Sequence, residues 1–484
     1  MRTLTLDRLV TLIAFIAVFA MAARSIGDTD LYWHLATGRY IVETGEIPTT
    51  DPFSSTRSGT AWINVQWLPQ VGLYLLYQLG GFTALSFLVA ALATLAALFV
   101  WCTMSGDVFV RAFGLILFAA ASALVWTPRP NILTIVLLAA LSYILHLYRH
   151  KSIDRLWLIP LVFLVWVNAH GGYLIGFVLI GVTLAGDALD RVLGQAGPTC
   201  LTWIGMRKLV LVTLVGLAAL MVNLYGFDAL RLPLVTVGQE ASARWIVEWS
   251  SPDFHIISEQ PMLWLFLLTL LAIGRSGKRA DLADVFGVAG FAYLAFLSRR
   301  NIGLYAVVVA PIFVRYASTA IDRARAGKPI GARSPGIGWL NVAILGMIAL
   351  VAALKVVVDL SPKTQAMTER GLVPIDAVNW IAANRLDGAM FNSYNWGGYL
   401  LWRLWPDYAV YVDGRADVFG DDFLREYRGV MAALPGFDAT LDRANVEWVV
   451  IETESLLADA LSREPGWREV YRDAQAVVFV RTRS

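Results

Sequence analysis

Apolar windows recur along the first three quarters of the 484-residue chain and limit its fold more than any motif does. Eleven of them are nearly free of internal charge: 9–25, 82–104, 109–126, 131–149, 156–168, 172–192, 208–223, 261–275, 282–298, 302–318 and 337–358. A helix needs about 20 apolar residues to cross a bilayer. Backbone inside hydrocarbon must satisfy its own hydrogen bonds, as a helix or a closed barrel. The pattern predicts a polytopic α-helical membrane protein of about eleven transmembrane helices. Composition agrees, with 57% apolar and 16% charged residues, where soluble domains have about 45–50% and about 25%. Met1–Ala23 carries Arg2 and Arg8 ahead of an apolar run, as a signal peptide would, but the many later spans make it a retained first helix.

Charge placement gives the orientation. With the N-terminus inside, the inner loops hold Arg149/Lys151/Arg155, Arg191/Arg207/Lys208, Arg275/Lys278/Arg279 and Arg315/Arg323/Arg325/Lys328/Arg333. Every substantial inner loop is basic, as the positive-inside rule requires. The outer loops carry fewer basic residues: Arg129, Arg231, Arg244, Arg299 and Arg300. This places the segment after the first span, and the C-terminal region, on the outer face. No basic patch suits nucleic acid, and two cysteines, Cys102 and Cys200, make no disulfide framework.

The chain divides into a membrane domain, 1–359, and a C-terminal domain, 360–484. From about Leu360 the apolar runs stop and charges become frequent. The pattern predicts a small α/β domain outside the membrane: helix Pro374–Arg385, strand Gly388–Asn392, helix Trp396–Leu404, strand Tyr408–Val412, helix Asp421–Leu434, strand Val446–Glu452 and helix Glu454–Arg463, then strands Trp467–Tyr471 and Ala476–Arg481. Within the membrane domain, Trp67–Leu79 is apolar but short and ends at Gly80-Gly81, so it reads as a membrane-surface helix before the second span.

The loop at 26–70 is where chemistry is expected. Asp28 and Asp30 follow the first span directly. On an extended segment alternate residues share a face, so the pair can bind a divalent cation bridged to phosphates or supply a general base. Alternatively the acids cap a helix starting near Leu31. A connector of about 40 residues is longer than linkage requires, and long loops usually serve function.

The order of these elements resembles that of the GT-C glycosyltransferases, polytopic enzymes that take sugars from polyprenyl-phosphate donors. The chain is similar to a bacterial group with an Asp-x-Asp-x-x-Trp-His-x-x-x-Gly motif, matched here from Asp28 through Asp30, Trp33 and His34 to Gly38. Asp51-Pro52-Phe53-Ser54, Trp62, Trp67, Arg129-Pro130 and Asn168-Ala169-His170-Gly171-Gly172 match as well. So do Asn223-Leu224-Tyr225-Gly226, Glu248-Trp249-Ser250-Ser251-Pro252, Arg299-Arg300-Asn301, Asn395-Trp396-Gly397-Gly398-Tyr399 and Asp413-Gly414-Arg415-Ala416-Asp417.

The resemblance implies that Asp28 is the catalytic carboxylate, as general base or metal ligand, with Asp30 its partner and Mg or Mn as the cation to be considered. It implies that Arg129, His170, Arg244, Arg299 and Arg300 hold phosphate, and that Trp33, His34, Trp62, Asn168, Glu248, Trp396 and Arg415 complete the substrate-binding set. Plainer readings stand beside these: lipid headgroup contact for the arginines, core packing for Trp396, and a structural Asp413–Arg415 turn. The function expected is inverting sugar transfer from undecaprenyl phosphate to a lipid, glycan or protein acceptor, on the outer face of a bacterial inner membrane. The alternatives are a transporter or flippase of lipid-linked glycans, or a non-catalytic scaffold. A transporter would carry charges at mid-membrane, whereas Asp187, Asp190 and Asp284 lie near span ends.

Overall fold

The computed structural model describes residues 4–231, 247–325 and 338–482. Arg244, Lys328 and Arg333 lie outside the described residues. Each of the eleven apolar windows holds a helix. Seven of the described helices are long and apolar enough to cross a membrane: Trp67–Thr103, Val108–Val125, Asn131–Lys151, Gly171–Val192, Ile257–Ser276, Arg299–Ala324 and Gly338–Asp359. The other four windows hold shorter helices, Leu6–Ala22, Leu158–Val167, Trp203–Ala219 and Leu282–Leu297. By length and composition, seven crossings stand among the described residues, where about eleven were expected.

The chain forms two compact units. Among the described residues the first comprises 4–24, 86–231, 247–325 and 338–361, and the second 25–85 and 362–482. One division between the units falls at Ser361/Pro362, and the acidic loop, which was expected within the 1–359 domain, belongs to the same unit as the C-terminal segment. The division also falls inside the Trp67–Thr103 helix, which is broken at Gly80 and Gly81 (φ 59°, ψ −150°). Only glycine adopts the Gly81 conformation without strain, so the short helix expected up to Leu79 does end there.

In the first unit the core helix is Ile302–Ala324, buried almost without interruption from Ile302 to Val314. It packs against Val108–Ser122, Asn131–Lys151, Gln260–Ser276 and Leu282–Leu297. A helix apolar on all sides is one surrounded by other elements. The acids near span ends are each paired with an arginine. Asp187 receives Arg149 Nη2 at 2.6 Å and Nε at 3.1 Å. Asp190 receives Arg279 at 2.6 Å, and Asp284 receives Arg315 at 2.6 Å and Tyr316 Oη at 3.0 Å. A small cavity of about 70 Å³ there includes Arg149, His150 and Arg315 in its wall; both arginines are already engaged by these carboxylates.

In the second unit four strands, β1 (Ala389–Asn392), β2 (Val446–Glu452), β3 (Trp467–Arg472) and β4 (Ala476–Arg481), form a sheet in the order β1-β2-β4-β3. β1 and β2 are parallel, and the other pairings are antiparallel. Charge-free runs in β2 and β4 explain their central places: Trp448–Ile451 and Ala476–Phe479 are fully buried, while β3, at the edge, carries Arg468, Glu469 and Arg472. Tyr32, Trp33, Ala36, Phe53 and Trp62 of the acidic loop are buried in the same hydrophobic core as Phe391, Leu400, Val410 and Phe479.

Three expectations for this region are corrected. Tyr408–Val412 is not a strand of the sheet and makes one isolated bridge, Val410 with Ser54. Its backbone is satisfied elsewhere: Asn392 Oδ1 accepts from Tyr411 N at 2.8 Å, Asn392 Nδ2 donates to Val412 O at 2.8 Å, and Ser55 N donates to Val410 O at 2.9 Å. The helix expected at Asp421–Leu434 runs from Ala416 to Met431, with a break at Gly420. Helices Pro362–Arg370 and Phe437–Arg443, short and largely polar, were not expected.

Candidate active site

The acidic pair lies on a tight turn at the start of the Leu31–Thr44 helix. Asp28 Oδ1 accepts the backbone N–H of Asp30 at 3.0 Å, an Asx turn. Asp30 occupies the N-cap position but makes no side-chain cap bond. One oxygen of Asp28 thus braces the turn that leads into the helix. Both residues are half-buried.

Two glycines, Gly398 and Gly414, let other segments close on this turn, and a third, Gly397, lets Val412 approach beside them. A Cβ at Gly398 would lie 3.1 Å from Thr29 O and 3.2 Å from Trp33 N, and one at Gly397 would collide with Val412 O. A Cβ at Gly414 would collide with Asp30 Oδ1 and lie 3.0 Å from Trp33 Nε1. The Gly397-Gly398 pair therefore serves close backbone approach, and Trp396 beside it is buried in the core, 3% exposed. Burial, together with the Asp30, Asp413 and Asp417 carboxylates, pushes the Tyr394 phenol well above its ordinary range. It is a hydroxyl, never a phenolate, in the neighbourhood of Asp30.

His34 and Arg415 were expected to bind substrate, and the structure gives them other work. His34 is buried, with Gln70 Nε2 3.2 Å from its Nδ1, and Gln70 Oε1 accepts from Asn64 Nδ2 at 2.7 Å. Arg415 is 1% exposed, bonded to Asp413 and Asp51, with its guanidinium carbon 4.7 Å from the Trp62 ring centre. Its charge is answered inside the unit. Trp62 and Trp33 are likewise buried, and Trp33 Nε1 has no hydrogen-bond partner among the described residues.

The first unit gathers the basic residues. Arg129 is ion-paired with Glu248, and Arg299 lies 3.3 Å from Glu259. Glu259 also accepts from Asp253 N at 2.6 Å, and Ser298 Oγ donates to Glu248 O at 2.9 Å. These bonds stitch 248–259 to 298–300. Arg300 differs: its guanidinium stacks over Trp249 at 4.6 Å, with no ion pair to a carboxylate among the described residues. His170 Nδ1 accepts from Gly172 N at 3.0 Å and sits 2.9 Å from Thr134 Oγ1, which itself accepts from Trp166 Nε1 at 3.0 Å. An Nδ1 that accepts leaves the proton on Nε2. Burial, then the Arg300 and Arg129 charges, pushes the His170 pKa down to about 3, so the ring is a neutral N–H donor. Asn168 directs its amide to Leu164 O (3.0 Å) and Val222 O (2.9 Å), an anchoring role.

Sequence reasoning did not single out Thr134, which sits unmarked inside an apolar window, and it named Asp51 and Gly414 as motif members without giving either a role. Among the described residues no group of three or more His, Cys, Asp or Glu is arranged to hold a metal ion. Asp28 and Asp30 offer two carboxylates, a donor set that suits Mg²⁺ only if water and phosphate oxygens fill the remaining positions.

The fold has counterparts among solved structures. The archaeal oligosaccharyltransferase AglB from Archaeoglobus fulgidus, in complex with an inhibitory peptide and a dolichol-phosphate, is 13% identical with TM-score 0.57 over 98% of this chain and 74% of that one. ArnT from Cupriavidus metallidurans, bound to undecaprenyl phosphate, is 16% identical with TM-score 0.54 over 97% of both chains. The chain has the GT-C fold. The mycobacterial arabinofuranosyltransferase AftD shares it too, at 14% identity and TM-score 0.50 over 99% of this chain and 40% of that one. No family model matches the sequence, and no curated protein does. The GT-C fold, with its long apolar helices, makes this a multi-pass membrane protein.

Proposed function

We propose that the chain is a glycosyltransferase of the bacterial inner membrane that moves one sugar from undecaprenyl phosphate to an acceptor hydroxyl on the outer face. The acceptor is a lipid, a glycan or a protein. The observation that carries this reading is the half-buried Asp28–Asp30 pair on a braced turn within a GT-C fold. In the reaction the acceptor oxygen attacks the anomeric carbon and the bond from that carbon to the phosphate oxygen breaks. The acceptor proton passes to a carboxylate, and the polyprenyl phosphate leaves with the bonding electrons. Attack opposite the leaving group inverts the anomeric centre. Because the leaving phosphate is already good, activating and orienting the acceptor is the main task left to the protein.

Asp28 and Asp30 are the groups for that task, as base or as ligands to a divalent cation, which would supply charge to the phosphate oxygens. Arg300 is the cation for the lipid phosphate, since Arg129 and Arg299 already face Glu248 and Glu259. Guanidinium matches phosphate bidentately, and His170 adds a neutral N–H donor.

The test is sugar transfer in membranes supplied with a panel of radiolabelled polyprenyl-phosphate sugars. Asp28→Asn and Asp30→Asn are assayed beside the parent chain, with and without chelator. Loss of the base lowers turnover by about 10²–10⁴-fold, and the chelator decides whether a metal takes part. Full turnover in both folded variants excludes the carboxylate role. Absence of turnover with every donor, while labelled lipid crosses the bilayer of reconstituted vesicles, makes the chain a flippase.

A further inference from the structure

Asp51, Asp413 and Arg415 form a fully buried ion cluster inside the second unit, each at most 1% exposed. Arg415 Nε lies 2.9 Å and 3.1 Å from the two Asp413 oxygens, Nη2 lies 2.6 Å from Asp413 Oδ2, and Nη1 lies 2.7 Å from Asp51 Oδ1. The Phe53 and Trp62 rings lie 5.1 Å and 4.7 Å from the guanidinium carbon. The second Asp51 oxygen accepts from Ser54 N at 3.2 Å and from Ser54 Oγ, and Phe53 N donates to Oδ1 at 3.0 Å. One cation and two carboxylates, all out of water, are costly, and apolar replacements are often no less stable. Stability alone therefore gives no reason for the cluster. What it does provide is fixed geometry.

The geometry it fixes is that of Gly414, the residue between Asp413 and Arg415. The segment leading to it is held on three sides: Asn392 binds the Tyr411 and Val412 backbone, Gly397 lies flush on Val412 O, and Asp51 draws in Arg415. The space in which a side chain at 414 would begin is filled by Asp30 Oδ1, with Trp33 Nε1 at its rim.

We propose that Gly414 is the seat of the Asp30 carboxylate, and that Asp51, Asp413 and Arg415 are positioning residues that hold this seat still. The proposal rests on the glycosyltransferase reading for what Asp30 does, and on the geometry alone for how it is held. The cluster touches no substrate; it acts through the Gly414 backbone on the orientation of one carboxylate. Preorganisation of this kind appears in kcat rather than in substrate affinity.

Two variants of the full-length protein test it. Gly414→Ala leaves the ion cluster intact and displaces Asp30; Arg415→Lys keeps the charge and loses the bidentate fit. Each is measured for amide hydrogen exchange in peptides spanning 27–35 and, as a reference, 446–452, and for kcat and KM with the polyprenyl-phosphate sugar that the parent chain uses. The expected result is exchange at least tenfold faster at 27–35 with the reference peptide unchanged, and kcat at least tenfold lower with KM for the donor within about threefold. Unchanged exchange at 27–35 in both variants overturns the proposal, whatever the activity. Faster exchange with full kcat overturns it as well, because the seat would then not matter to the reaction. If the parent chain uses no donor, the glycosyltransferase reading fails and the exchange data still decide whether the seat exists. If Arg415→Lys does not fold, Gly414→Ala carries both measurements.

Discussion

Arg300 and His170 illustrate how neighbours decide what a side chain can do. Arg129, Arg231, Arg299 and Arg300 have identical chemistry, yet Glu248, Asp228 and Glu259 face the first three and leave Arg300 stacked on Trp249. Arg300→Ala is expected to lower kcat/KM for the lipid donor about 10–100-fold, in line with a charged hydrogen bond of about 1.5–3 kcal/mol; Arg300→Lys recovers part of it. Arg299→Ala should instead lower thermal stability, because it leaves the buried Glu259 without its cation. For His170 the sign follows from its low pKa. The unfolded chain takes up a proton below about 6.5 that the folded chain accepts only near 3. This contribution to stability is therefore complete above pH 6.5 and is lost progressively as the pH falls towards 3. Melting temperatures measured between pH 7 and 5 should decline less steeply in His170→Gln than in the parent chain. An equal slope in both would mean the ring is protonated in the fold.

At the scale of elements, the apolar helices were legible because a span writes itself as an uninterrupted run of side chains. Val446–Glu452 and Ala476–Arg481 were legible because buried central strands do the same in shorter form. The segment at Tyr408–Val412 carries a strand's side chains, but its backbone partners are a side chain, Asn392, and a loop 355 positions earlier, which local pattern cannot reveal. The same limit applied to the site. The acidic pair was legible by its place after the first apolar window, whereas the burial of Arg415 depended on Asp51, and no spacing rule links the two. Between helices, the Arg149–Asp187 pair is buried on both sides, at 7% and 0% exposure. Removing one partner of such a pair costs about 3–5 kcal/mol, so Arg149→Ala should lower the detergent-solubilised melting point sharply. Replacing both residues with apolar ones of similar size should restore much of it. A transporter reading, which looks for unpaired charge along the helices, finds Asp187, Asp190 and Asp284 each answered by an arginine.

At the scale of the whole molecule, the distribution of Lys and Arg among loops makes a prediction about sidedness. A reporter enzyme that matures only outside the cytoplasm, fused after the last strand, should be active, and a fluorescent reporter that matures only inside should be dark. The reverse pattern would turn the acidic loop to the cytoplasm and remove outer-face transfer from consideration.

The Asp51–Arg415 bond also has a consequence for biosynthesis. Its partners are 364 residues apart. A ribosome adding about 5–20 residues per second needs roughly 20–70 s to deliver Arg415 after Asp51 has been made. Throughout that interval the acidic loop lacks the cation its buried carboxylate requires. The nascent protein can thread its helices into the bilayer early, but the acidic loop is completed only after Arg415 has been made. Ribosomes that stop short would release chains with a membrane domain and an unfinished acidic loop, so truncated products should be inert rather than partly active.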